Sequence, residues 1–278
     1  MLLGVRAHDF GKLPAEELAK RISEKGFKAI QLALSKAIPG LDAGLGKLSP
    51  GMAHAIQDTF FSHHIRIAVL GCYINPVHPD PIERRSQLER FKEHIRYARD
   101  FGCSIVATET GSLNADFSYH PDNHGESAFQ ILFESIRELV AEAEKFGVMV
   151  AIEGVRHYVA NSPERIRRLI DAIGSNHLQV ILDPVNLLSP LNFQDQGSVI
   201  KKAFELFGDR IVALHAKDFI LENGQICSIC AGEGHLNYDL VFKLLKEKKP
   251  MSYVLMEDTK PDQIDAGIAY LKEAYDKA

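Results

Sequence analysis

Val148-Met149-Val150-Ala151-Ile152-Glu153 is a run of five apolar residues closed by a carboxylate. A strand with one wet face alternates apolar and polar residues. A run apolar at every position is buried on both faces, as in a parallel sheet with helices outside and packed side chains within. Gly147 stands directly before the run, where a helix would end. The same unit recurs along the chain: strands are predicted at Leu2 to Ala7, Ala29 to Leu34, Ile65 to Gly71, Ser104 to Glu109, Val148 to Glu153, Leu178 to Asp183, Ile211 to Lys217 and Tyr253 to Asp258.

Helix punctuation supports the count. Pro favours the first helical position and Gly the residue past the end. Pro14 with Gly26 brackets one helix, and Pro163 behind the Ser162 cap brackets another with Gly174. Ser49-Pro50 opens a third, and Gly102, Gly147 and Gly208 each close one before a strand. Eight strand–helix units with no Ser/Gly/Pro linker predict one α/β domain over 1–278, a closed (β/α)8 barrel. An open doubly wound sheet ordinarily needs a Gly-rich phosphate turn, and no G-x-G-x-x-G follows the first strand. The longest irregular stretches, Ser35 to Lys47, Asn75 to Pro81, Ser112 to Gly125 and Phe219 to Asn237, each follow a strand, so they belong to the face where barrels build their sites.

Composition narrows the function classes. Of 278 residues, 46% are hydrophobic and 25% charged, the balance of a globular chain with a sizeable core. A net charge of -5 without a Lys/Arg block leaves no footprint for a phosphate backbone, so no nucleic-acid partner is expected. The apolar run at Met1-Leu2-Leu3 is too short for a secretory signal and no long apolar span suggests a membrane helix, so a cytoplasmic enzyme is expected. Cys72, Cys103, Cys227 and Cys230 are too few for a disulfide scaffold. Cys227-Ser-Ile-Cys230 offers two ligands where structural zinc takes four, and it reads as two thiols in a loop.

Chemistry enters where polar groups interrupt the apolar strands. Strand five ends in Glu153 and strand six in Asp183; strand seven carries His215 and strand eight ends in Glu257. On neighbouring barrel strands these four converge at the C-terminal mouth. Three clustered carboxylates repel one another strongly, and a divalent cation is the natural compensator. An O3N donor set fits one ion of Mn, Mg, Co or Zn, with Mn taken first.

The chain resembles the xylose isomerase-like superfamily of sugar phosphate isomerases and epimerases, a TIM-barrel group that also includes endonuclease IV-type enzymes. The resemblance spans essentially the whole sequence. It is carried by Arg6-Ala7-His8-Asp9-Phe10, Ala107-Thr108-Glu109-Thr110-Gly111, Ile152-Glu153-Gly154-Val155, Leu182-Asp183-Pro184-Val185-Asn186 and His215-Ala216-Lys217-Asp218. It implies that Glu153, Asp183, His215 and Glu257 bind the metal. It further implies that Glu153 and Glu257 are the catalytic acid–base pair, shuttling a proton through a metal-stabilised ene-diolate of a sugar, sugar phosphate or inositol-derived ketone. A homo-oligomer is expected by resemblance only. Ketose 3-epimerases of the family carry a His three residues after the strand-six Asp and a Glu six residues after the strand-five Glu; here those positions are Asn186 and Val159. The substrate grip therefore differs, and His8, Glu109, His157, Asn186 and Lys217 are the candidate substrate-binding residues.

Two other functions use related parts. A lyase or dehydratase on a similar polyol begins with the same proton abstraction and expels a hydroxyl. An endonuclease IV-type nuclease needs a three-metal cluster and a basic surface, whereas this chain has Gln31 at an early ligand position, no corresponding His on strand three, and an acidic balance.

Overall fold

The computed structural model describes residues 1–278. Eight parallel strands close into a barrel: β1 (Leu2–Arg6), β2 (Ala29–Leu32), β3 (Arg66–Gly71), β4 (Ile105–Glu109), β5 (Met149–Glu153), β6 (Leu178–Leu182), β7 (Ile211–Ala216) and, after an inserted hairpin, β10 (Tyr253–Met256), which pairs with both β7 and β1. The outer layer consists of α1 (Ala15–Glu24), α3 (Pro50–Ser62), α4 (Pro81–Tyr97), α5 (Glu126–Phe146), α6 (Pro163–Ile173), α7 (Gln196–Phe207), α8 (Tyr238–Lys248) and α9 (Ile264–Lys277); one further turn, α2 (Leu34–Ala37), follows β2.

The predicted boundaries hold for physical reasons. The Ser49 and Ser162 side chains accept from Met52 N and Arg165 N, satisfying free amides at the starts of α3 and α6. Gly147 and Gly174 end α5 and α6 in the left-handed conformation, which a side chain would disfavour. A single cluster of 79 buried hydrophobic residues runs through barrel and helices, so barrel interior and helical layer share one core.

One predicted loop is structured. Asp218 to Ile229 forms the antiparallel hairpin β8 (Asp218–Glu222) and β9 (Gln225–Ile229), turning through Asn223 and Gly224 with φ of 50° and 74°. An Asn-Gly pair suits such a turn because both residues tolerate positive φ.

Candidate active site

Glu153 is the last residue of β5, and His215 lies one residue before the end of β7. Asp183 and Glu257 each follow directly after β6 and β10. Parallel register brings these ends to one mouth, where ligand atoms of all four lie within 4.8 Å of one another. None of the four is more than 7% exposed.

The open valences point inward. Asp183 Oδ2, His215 Nδ1 and Glu257 Oε2 are buried without a directed hydrogen bond, although Nδ1 approaches Oε2 to 2.7 Å and Lys217 Nζ approaches Oδ2 to 2.8 Å. Close approach without directed bonding is expected of groups aimed at a common centre, and the donor set suits a divalent metal. Without metal, a proton takes over part of the compensation. Burial lowers the proton affinity of His215, but Glu257 and Glu153 outweigh it and raise the imidazole well above the ordinary range.

The surrounding residues fix this arrangement. His215 Nε2 lies 2.8 Å from Gln31 Oε1, and Gln31 Nε2 donates to Tyr73 Oη at 2.9 Å. With its amide nitrogen turned to Tyr73, Gln31 accepts from His215, so Nε2 keeps its proton and Nδ1 is the nitrogen facing the carboxylates, where a metal would take the place of the second imidazolium proton. The β2–β3 register shifts opposite Gln31, where Ala68 is the extra residue on β3. Asn186 donates to Glu153 Oε1 at 2.6 Å through its side chain and to Asp183 Oδ1 at 3.0 Å through its backbone. Lys217 Nζ lies 2.8 Å from Asp183 Oδ2 and 3.3 Å from Glu257 Oε1. Burial lowers the Lys217 pKa, but Asp183, Glu257 and Glu153 prevail and raise it well above the usual lysine range. Arg6 donates to Glu257, Asp9 and Asp258. Burial pushes the Glu257 carboxyl up, yet His215, Lys217 and Arg6 pull it well below its normal range.

A cavity of about 240 Å³ opens over this cluster, lined by Arg6, Lys36, Tyr73, Glu109, Phe117, Glu153, His215 and Glu257. Asp183 lies beneath it. Of the expected substrate-binding residues, Glu109 faces the cavity directly, in register with Glu153. Burial, then the Glu153 and Glu257 charges, pushes its carboxyl up to about 7. Asn186 and Lys217 act on the four-residue cluster from behind. His8 is half-buried beside the mouth with Nδ1 unpartnered; burial and the Arg6 and Lys36 charges lower its pKa to about 4. His157 is exposed, its ring against Tyr158, and does not line the cavity.

Arg6, Lys36 and Tyr73 are not singled out by the sequence: Arg6 opens a matched stretch that gives it no role, and Lys36 and Tyr73 sit in segments with no motif around them. Gln31 was noticed only as a ligand that fails to be one; its partnership with His215 spans 184 residues. The glycine turn at Ala231–His235 is held by Asp218, whose carboxylate accepts from Phe219 N, Gly232 N and Leu236 N. Cys227 and Cys230 are free thiols on and just after β9. No helix is long and apolar enough to cross a membrane.

The family model described as xylose isomerase-like TIM barrel matches residues 19–274, and the chain belongs to that family. A D-psicose 3-epimerase of Enterocloster bolteae is 27% identical over 146 residues, 51% of this chain and 43% of that protein. Less than half of that relative's length is therefore matched. Among solved structures, the D-psicose 3-epimerase of Clostridium cellulolyticum H10 with D-tagatose superimposes with a TM-score of 0.76 at 15% identity, covering 99% of each chain. The IolI protein with a bound zinc atom gives 0.73 at 18% identity, covering 99% of this chain and 96% of that one. At such identities these structures speak for the fold alone.

Proposed function

We propose that this chain is a divalent-metal-dependent isomerase or epimerase of a sugar or polyol, with Glu153, Asp183, His215 and Glu257 as metal ligands and Mn as the first choice of ion. The observation that carries the reading is the convergence of four ligand atoms within 4.8 Å, three of them buried without a directed hydrogen bond, under an open cavity. The sugar epimerases among the relatives support the substrate class. A bound divalent ion would polarise a substrate carbonyl and acidify the neighbouring C–H.

The chain's own residues supply the proton handling. Glu153 and Glu257 come from the two outer strands of the β5–β6–β7–β10 arc and both face the cavity, so they flank whatever lies there. Glu153 is held by the neutral Asn186 amide, whereas Glu257 is held by Arg6 and Lys217. Glu153 is therefore the carboxylate better placed to take a carbon-bound proton, and Glu257 to return one from the other side. Return to the opposite face of the same carbon is epimerisation; return to the neighbouring carbon is isomerisation. Glu109, carrying a proton near neutrality, is able to donate to a substrate oxygen as well as accept from a hydroxyl.

The test is metal analysis of the purified protein, followed by turnover of ketoses, keto-inositols and their phosphates in deuterated water after Mn loading. Roughly one metal per chain is expected. Deuterium should enter one substrate carbon, and Glu153→Gln should lose metal and slow exchange by about 10²–10⁴-fold. Absence of metal under every loading condition would remove the four-ligand site.

A further inference from the structure

Two cations near the mouth have no anion within ion-pair distance. Lys36 in α2 and Arg90 on α4, together with Ser35, Cys72, Tyr73 and His94, line most of a pocket of about 110 Å³ that contains no carboxylate. Arg90 Nε is buried without a hydrogen-bond partner, Nη2 donates to the Tyr73 carbonyl, and the guanidinium stands against the Cys72 thiol. Lys36 Nζ stands 4.0 Å from the centroid of the Tyr73 ring, and Glu109 acts on it from beyond ion-pair distance. The neighbouring cations differ. Arg6 meets Asp9, Glu257 and Asp258, and Lys217 meets Asp183 and Glu257. A half-buried guanidinium whose Nε has no partner, and which meets only a carbonyl and the Cys72 thiol, keeps an uncompensated charge, which an arriving oxyanion would relieve.

Tyr73 and Lys36 belong to this pocket and to the cavity over the four-residue cluster alike. The Tyr73 hydroxyl receives the Gln31 amide, whose other end holds His215, while its carbonyl receives Arg90. Tyr73, together with Lys36, thus borders both spaces. The glycine turn at Ala231–His235 offers no competing anion cradle, because Asp218 already occupies the Phe219, Gly232 and Leu236 amides.

We propose that the Lys36–Arg90 pocket receives an anionic end group of the substrate, a phosphoryl or a carboxylate, while the carbon chain lies in the larger cavity. The substrate class is then a sugar phosphate or a sugar acid rather than a neutral ketose. The assignment rests on reading the larger cavity as the sugar site. A volume of about 110 Å³ has room for one such group and not for a second sugar.

Isothermal titration calorimetry on metal-loaded wild-type protein, Lys36→Met and Lys36→Arg tests this with D-ribulose, D-ribulose 5-phosphate, 5-keto-D-gluconate and inorganic phosphate. At least one charged sugar should bind about tenfold or more tightly than D-ribulose, an advantage lost in Lys36→Met and restored in Lys36→Arg. Which charged sugar gains identifies the oxyacid. Equal binding of charged and neutral sugars, or an advantage that survives Lys36→Met, overturns the proposal. Inorganic phosphate bound by wild type and lost in Lys36→Met, with no affinity for any sugar, would retain the anion pocket and defeat the sugar reading instead. No anion bound by wild type defeats the pocket itself.

Discussion

His215 on β7 and Gln31 on β2 meet across the barrel mouth at 2.8 Å, and this pairing sets the imidazole proton on Nε2. The lone pair on Nδ1 is then available to a metal. Gln31→Leu removes the acceptor without adding charge, so metal affinity should fall by about 10–100-fold. Competition with a chromophoric chelator measures it, and an unchanged affinity would show that Gln31 does not set the tautomer.

Lys217 is 4% exposed and Asp183 1%, so their ion pair lies inside the protein. In Lys217→Met the Asp183 and Glu257 carboxylates lose an internal counter-charge. Metal-free protein should be destabilised by about 3–5 kcal/mol. Metal-loaded protein should lose less, because a divalent ion supplies the missing positive charge. Scanning calorimetry of both forms reads this as a wider metal-dependent gap in Tm than in wild type; an equal gap would assign Lys217 a packing role only.

His94, on α4, is buried with Nδ1 against the Arg90 carbonyl at 2.9 Å, and burial holds its pKa down at about 4. The unfolded chain takes up that proton nearer the ordinary histidine value of 6.5, so the folded state is favoured in full above about 6.5. This stability is lost as pH falls toward 4, by up to about 3 kcal/mol. His8, also lowered to about 4, adds a slope of the same sign. Urea unfolding at pH 7.5 and 4.5 should show the loss, and His94→Asn, which keeps a donor toward Arg90 O, should reduce it. An undiminished pH dependence in that variant would place the acid sensitivity elsewhere.

The barrel was legible because each of its strands is apolar on both faces and each of several helices carries its own stop signal, as at Gly147 and Gly174. These are local signals. The hairpin at Asp218–Ile229 is marked in the sequence only by its Asn223-Gly224 turn, because its two strands are short, partly exposed and without a continuous apolar run. The four clustered residues were legible from strand-end position. Arg6, Lys36, Arg90 and Gln31 were not, since each gains its meaning from a partner far along the chain: Arg6 from Glu257, 251 residues away, and Gln31 from His215. Periodicity reports which way a residue points and nothing about what stands opposite.

The four clustered ligands come from β5, β6, β7 and β10, all beyond residue 148, whereas Lys36, Tyr73 and Arg90 come from the first third of the sequence. On the proposed assignments, reactivity and molecular address are thus inherited through separate stretches of the polypeptide. On the proposed reading, exchanging residues 33–94 for the equivalent stretch of another such barrel would redirect the protein toward a new compound, provided the incoming segment gives Gln31 a partner in place of Tyr73.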